Sequence, residues 1–147
     1  MPVQDAERLV IEGLAFLEQG NNLAALASFE RAVRLDNMPV YRAYHAFCIA
    51  RERGQPQRAE EICREAVSQE PLNPLLYLNL GRVLLIAGRK PEAIEVFRQG
   101  LQCGDNGEII RELNRIGTRR KPPIPFLRRE NPVNKYLGMM LSRLGLR

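Results

Sequence analysis

Acid–base or nucleophilic chemistry in this chain would have to run through a single histidine, His45, and three cysteines, Cys48, Cys63 and Cys103. A catalytic nucleophile needs a base beside it and a third group to orient that base. No Ser/His/Asp or Cys/His set of this kind can be assembled here. His45 therefore reads as a structural or surface histidine. The cysteines are odd in number and widely spaced, and they match no metal or redox pattern. They read as reduced thiols of a cytoplasmic protein. Gly88-Arg89-Lys90 lacks the strand and the glycine spacing of a phosphate loop. Glu60, Glu61 and Arg64 fit ordinary helix surface with pairing between residues four apart. No enzyme activity, cofactor or metal is expected.

The residues that suit binding lie elsewhere. The chain has 147 residues and a net charge of +5, but residues 118–147 hold eight bases against one acid, Glu130. That segment is +7, and the remaining 117 residues carry −2. Such asymmetry marks an interaction segment rather than a fold. Hydrophobic residues at 45% and charged residues at 27% suit one globular domain, while aromatics at 6% argue against an all-β fold. Charges fall inside the first dozen residues, so no secretory leader is expected, and Met1 reads as a natural start. The longest apolar run, Val83–Ala87, is far short of the ~18 residues of a membrane span.

Three helix-turn-helix phrases recur in register. Their turn glycines, Gly20, Gly54 and Gly88, are separated by 34 and 34 residues. Five residues on come Ala25, Ala59 and Ala93, then Phe29, Cys63 and Phe97, then Ala32, Ala66 and Gly100. Each glycine can end a first helix in the left-handed conformation. Pro56 and Pro91 sit near the starts of second helices, where a missing N–H costs little. Gly13 and Gly81 allow a neighbouring helix to approach, and Phe16, Phe29, Leu84 and Phe97 fill the space between helices. A single helix pair cannot bury its apolar face, whereas a stack can.

This pattern resembles the tetratricopeptide repeat family over roughly residues 6–107, with units near 6–39, 40–73 and 74–107. Three departures stand out: Asn37 and Asp105 where the family prefers the proline kept at Pro71, and Phe47 where a small residue is usual. Phe47 puts the packing of the second repeat in question. The resemblance implies an all-α fold, a right-handed α-solenoid. Ile109, Ile110, Leu113 and Ile116 recur at helical steps, with Arg111, Glu112, Asn114 and Arg115 on the other side. They resemble the family's capping helix, near 108–117, which would close an array spanning residues 1–117.

The resemblance further implies a concave groove lined by the first helices. Repeat one would offer Val10, Leu14 and Leu17. Repeat two would offer Tyr41, Tyr44, His45, Cys48 and Arg51. Repeat three would offer Leu75, Leu78, Asn79, Arg82, Leu85 and Ile86. Leu14, Leu78 and Leu85 are open to an internal packing role instead, whereas Tyr41, Tyr44 and Arg82 are expected as exposed contacts. Tyrosine and arginine are favoured interface anchors, and an apolar lining suits an amphipathic helix or extended peptide. Some members clamp a terminal carboxylate with lysine, asparagine and arginine. The matching positions here are Val10, Leu14, His45, Leu75 and Asn79, so that basic clamp is absent.

The tail, 118–147, reads as a basic proline-rich linker followed by an amphipathic helix. Pro122, Pro123 and Pro125 forbid a helix in the linker. Ile124, Phe126 and Leu127 either pack back on the capping helix or form an exposed docking segment. Asn131-Pro132 looks like a helix start. Val133, Tyr136, Leu137, Met140, Leu141 and Leu144 then share one face. The expected function is a non-catalytic scaffold or adaptor that binds a protein or peptide. The alternative is binding of an anionic surface, nucleic acid or membrane, through the basic tail. A third expectation is that the tail helix fills the groove of its own or a second chain, giving a homo-oligomer.

Overall fold

The structure, a computed structural model, describes residues 2–119, and of Thr118 and Arg119 only the backbone. The tail residues named above, Phe126, Leu127, Tyr136, Leu137, Met140, Leu141 and Leu144 included, lie outside the described residues. Seven helices are described: α1 Pro2–Glu18, α2 Asn22–Leu35, α3 Pro39–Arg53, α4 Pro56–Gln69, α5 Pro74–Ile86, α6 Lys90–Cys103 and α7 Gly107–Arg119. The described residues contain no strand. The chain divides into two compact units, Met1–Asn106 and Gly107–Arg147.

Local chemistry sets the helix limits in the first unit. The Asn21 side chain accepts a hydrogen bond from the Ala24 N–H, and that of Asn73 from the Leu75 N–H, so α2 and α5 are capped. Pro39, Pro56, Pro74 and Pro91 occupy first-turn positions. Gly20, Gly54 and Gly88 have φ of 77°, 62° and 80°, the left-handed conformation that lets the chain leave one helix and enter the next.

The six helices form three pairs, α1–α2, α3–α4 and α5–α6. Successive pairs join through α2–α3, α4–α5 and α3–α5. Contact between α1 and α3 is marginal by comparison.

The approach inside a pair depends on a large ring meeting a missing side chain. A Cβ added at Gly13 would stand 2.7 Å from Cζ of Phe29, and one at Gly81 would stand 2.2 Å from Cε1 of Phe97. Both rings are fully buried. Phe16, expected to fill the same space, is only half-buried. In repeat two the sizes are exchanged: Phe47 stands at the glycine position and Cys63 at the phenylalanine position. Both are buried. The departure at Phe47 is thus offset by a smaller partner position.

The α7 helix carries Ile109, Ile110 and Ile116 as buried residues. Glu112, expected on the solvated side, is also buried, and it pairs with Arg115. A carboxylate loses less on burial when a guanidinium bonds it.

Gly81→Ala must move the Phe97 ring and is expected to cost about 1–3 kcal/mol of unfolding free energy, as overpacking does. Gly54→Ala meets no atom within 4 Å. It should cost only about 1–2 kcal/mol of left-handed backbone strain. Urea unfolding followed by circular dichroism measures both, and a Gly81→Ala protein as stable as the parent would contradict the packing described.

Candidate partner-binding surface

The 34-residue register brings Leu14, Cys48 and Arg82 to one helical position and Leu17, Arg51 and Leu85 to another. The first helices α1, α3 and α5 therefore share a face. Because α1 meets α3 only marginally, Leu14 stays 36% exposed and Leu17 half-buried. At the other end of the face Leu75 and Leu85 are half-buried and Ile86 is 39% exposed. Between them the Phe47 ring carries two guanidiniums, with Arg51 at 5.8 Å and Arg82 at 5.3 Å from its centroid. Stacking of this kind holds a cation over a ring face.

Several residues expected on this face are not available on it. Tyr44 is only 6% exposed, because its ring stacks on Phe29 of the preceding pair with centroids 5.3 Å apart and planes 13° apart. Tyr41 is buried as well, and burial pushes its phenol up, with Glu7 and Asp36 adding to the effect. Both tyrosines join repeats instead of presenting themselves to a partner. Val10, Cys48 and Leu78 are buried, and for Leu78 this is the internal role left open by the sequence.

His45 and Asn79 share a register position of the first helices. The charged groups that bear on His45 are Glu30 and Arg34 of α2, Arg53 of α3 and Arg58 of α4. Asn79 is fully buried and donates to the Leu75 carbonyl of its own helix at 3.0 Å.

The second helices and the turn before α6 carry an ion-pair network that goes beyond ordinary helix-surface pairing. Arg64 bonds Glu60 at 2.8 Å, four residues away, but Arg89 also reaches Glu60 at 2.5 Å and Glu92 at 2.7 Å. Burial alone would raise the Glu60 carboxyl, yet its bonds to Arg89 and Arg64 hold it below the usual value. The network ties α4 to the start of α6. A recess of about 610 Å³ opens nearby, lined by Val67, Pro71, Leu72, Tyr77, Leu80 and Cys103 among others. Its wall is fixed by the Tyr77 hydroxyl, which donates to the Pro71 carbonyl at 2.7 Å. Among the described residues no group of His, Cys, Asp or Glu could hold a metal ion, and no helix is long and apolar enough to cross a membrane.

Three stacked helix pairs with glycine turns 34 residues apart are what a family profile described as "Tetratricopeptide repeat" matches, over residues 12–47 and 44–108. The chain belongs to the tetratricopeptide repeat family. A relative in Mycosarcoma maydis, small glutamine-rich tetratricopeptide repeat-containing protein 2, is 28% identical over 108 residues. The match spans 73% of this chain but only 30% of the relative's length. The first tetratricopeptide repeat domain of human RPAP3 superposes with a TM-score of 0.61 at 22% identity, covering 80% of this chain and 93% of that one. The Arabidopsis OM64 domain does so with 0.60 at 21% identity, covering 82% and 100%. The second domain of human RPAP3, described in complex with an HSP70 peptide, gives 0.57 at 20% identity and covers 82% and 100%. These likenesses show the repeat fold.

Within this repeat array Cys48 and Cys63 are closed off, and burial pushes each thiol up to about 12. Cys103 is partly exposed. In native protein at pH 7.5, N-ethylmaleimide is expected to label Cys103 alone, with Cys48 and Cys63 labelled only after denaturant is added. Peptide mass spectrometry reads the result. Native labelling of Cys48 as fast as Cys103 would show that the first-helix face opens far more than its packing implies.

Proposed function

We propose that this chain is a non-catalytic protein-interaction adaptor that holds an apolar helix or extended peptide on its first-helix face. The observation that carries the reading is the set of aliphatic side chains left open or half-open there, Leu14, Leu17, Leu75, Leu85 and Ile86, which share one face of the first helices. Apolar walls of this kind accept the apolar side chains of a ligand. The guanidiniums of Arg51 and Arg82, steadied on Phe47, give the site polar contacts beside its apolar centre.

The similar RPAP3 domain in complex with an HSP70 peptide supports a peptide as the ligand class. The mode differs, because the positions that match the family's basic carboxylate clamp hold Val10, Leu14, His45, Leu75 and Asn79. Val10 and Asn79 are buried, and none of the five is a lysine or arginine. A ligand recognised mainly through apolar side chains fits this surface better than one recognised through a terminal carboxylate.

The test is a peptide selected on the full chain from a displayed random library. Leu85→Asp and Ile86→Asp are each expected to weaken its binding at least tenfold, about 1.4 kcal/mol, with the helical circular dichroism unchanged. Fluorescence anisotropy measures the affinity. Peptides that bind both variants as tightly as the parent would place the binding surface elsewhere.

A further inference from the structure

Cations of α2, α3 and α4 gather around Glu30 and His45. Glu30 of α2 is approached through one oxygen by Arg34 and through the other by Arg53 of α3, each at 3.6 Å. The charge of Arg58 of α4 also acts on His45, and Arg58 makes no ion pair among the described residues. The charges of all four residues act on His45 of α3. Its ring Nε2 is buried and has no hydrogen-bond partner among the described residues.

Three guanidiniums against one carboxylate leave an excess of two positive charges. A single carboxylate would neutralise half of it, whereas a phosphoryl group near neutral pH carries −1.5 to −2 and offers three acceptor oxygens. Planar guanidiniums match that geometry. The site is open, since the Arg34 and Arg53 side chains are 72% and 50% exposed. A free ion there would keep most of its water and bind weakly. A phosphoryl group anchored on a polypeptide gains from the contacts of its neighbours.

We propose that Arg34, Arg53 and Arg58, grouped around His45, form an oxyanion site that takes a phosphorylated side chain of a partner polypeptide. None of these three arginines is among the residues proposed to hold the apolar ligand, so either reading can stand without the other. Burial keeps the imidazole pKa low, with Glu30 opposing and the three arginines assisting. A dianion bound nearby favours the imidazolium and must raise that pKa.

His45 is the only histidine in the chain, so its ring resonances report on the site without interference. The experiment titrates the full chain, followed by ring proton–carbon NMR, with N-acetyl-O-phosphoserine amide. Inorganic phosphate, N-acetylglutamate amide and sodium chloride at matched ionic strength are run beside it. The phosphoserine probe is expected to shift the ring signals saturably and to raise the titration midpoint of His45. The Arg34→Gln/Arg58→Gln double variant should lose the probe response, keep its circular dichroism, and show a higher His45 midpoint without probe because two cations are gone. Equal movement with chloride or with the glutamate analogue would overturn a phosphoryl site. A response to inorganic phosphate but not to the phosphoserine probe would overturn the partner assignment. A double variant that still responds would overturn the choice of residues.

Discussion

Two rings lying where a side chain is missing set the distance between helices in this array. At Gly13 with Phe29 and Gly81 with Phe97, the space for even one methyl group is already filled. Close approach goes with full burial of the alanines at 25, 32, 59, 66 and 93. Repeat two reaches a similar volume by exchange, with Phe47 in the first helix and Cys63 in the second. The exchange has a consequence for the surface. A ring at position 47 gives Arg51 and Arg82 something to lie on, a platform that a glycine there would not provide.

The same packing decides what remains for a partner. Joining repeats one and two uses both tyrosines of α3, Tyr44 against Phe29 and Tyr41 toward α1 and α2. What is left on the first helices is mainly aliphatic, at the two ends of the face, with guanidiniums between. Polar order concentrates elsewhere, in the Arg64–Glu60–Arg89–Glu92 network and the arginines around Glu30. One array therefore offers two surfaces of different chemistry, one suited to apolar side chains and one to anions.

The fold was legible because its signals are local and repeat. Glycines needing positive φ, prolines in first turns and small residues at fixed offsets all sit within one 34-residue period. The binding face was legible only in outline. Periodicity identifies the residues of a first helix, but the placement of the preceding pair decides which are covered, and Tyr41, Tyr44 and Cys48 lost their exposure to it. Arg89 with Glu60 joins residues 29 apart in sequence and leaves no periodic trace. Glu112 resembled a solvated acid because sequence pattern does not register burial compensated by pairing.

The central claim is that ring volume and missing side chain are coupled inside each pair, and a double-mutant cycle at residues 81 and 97 tests it most directly. Unfolding free energies are needed for the parent, Gly81→Ala, Phe97→Leu and the double variant. The account predicts that alanine at 81 costs at least about 1 kcal/mol less when leucine replaces Phe97, since contacting residues are not additive. Additive effects within about 0.3 kcal/mol, the behaviour of independent sites, would contradict it.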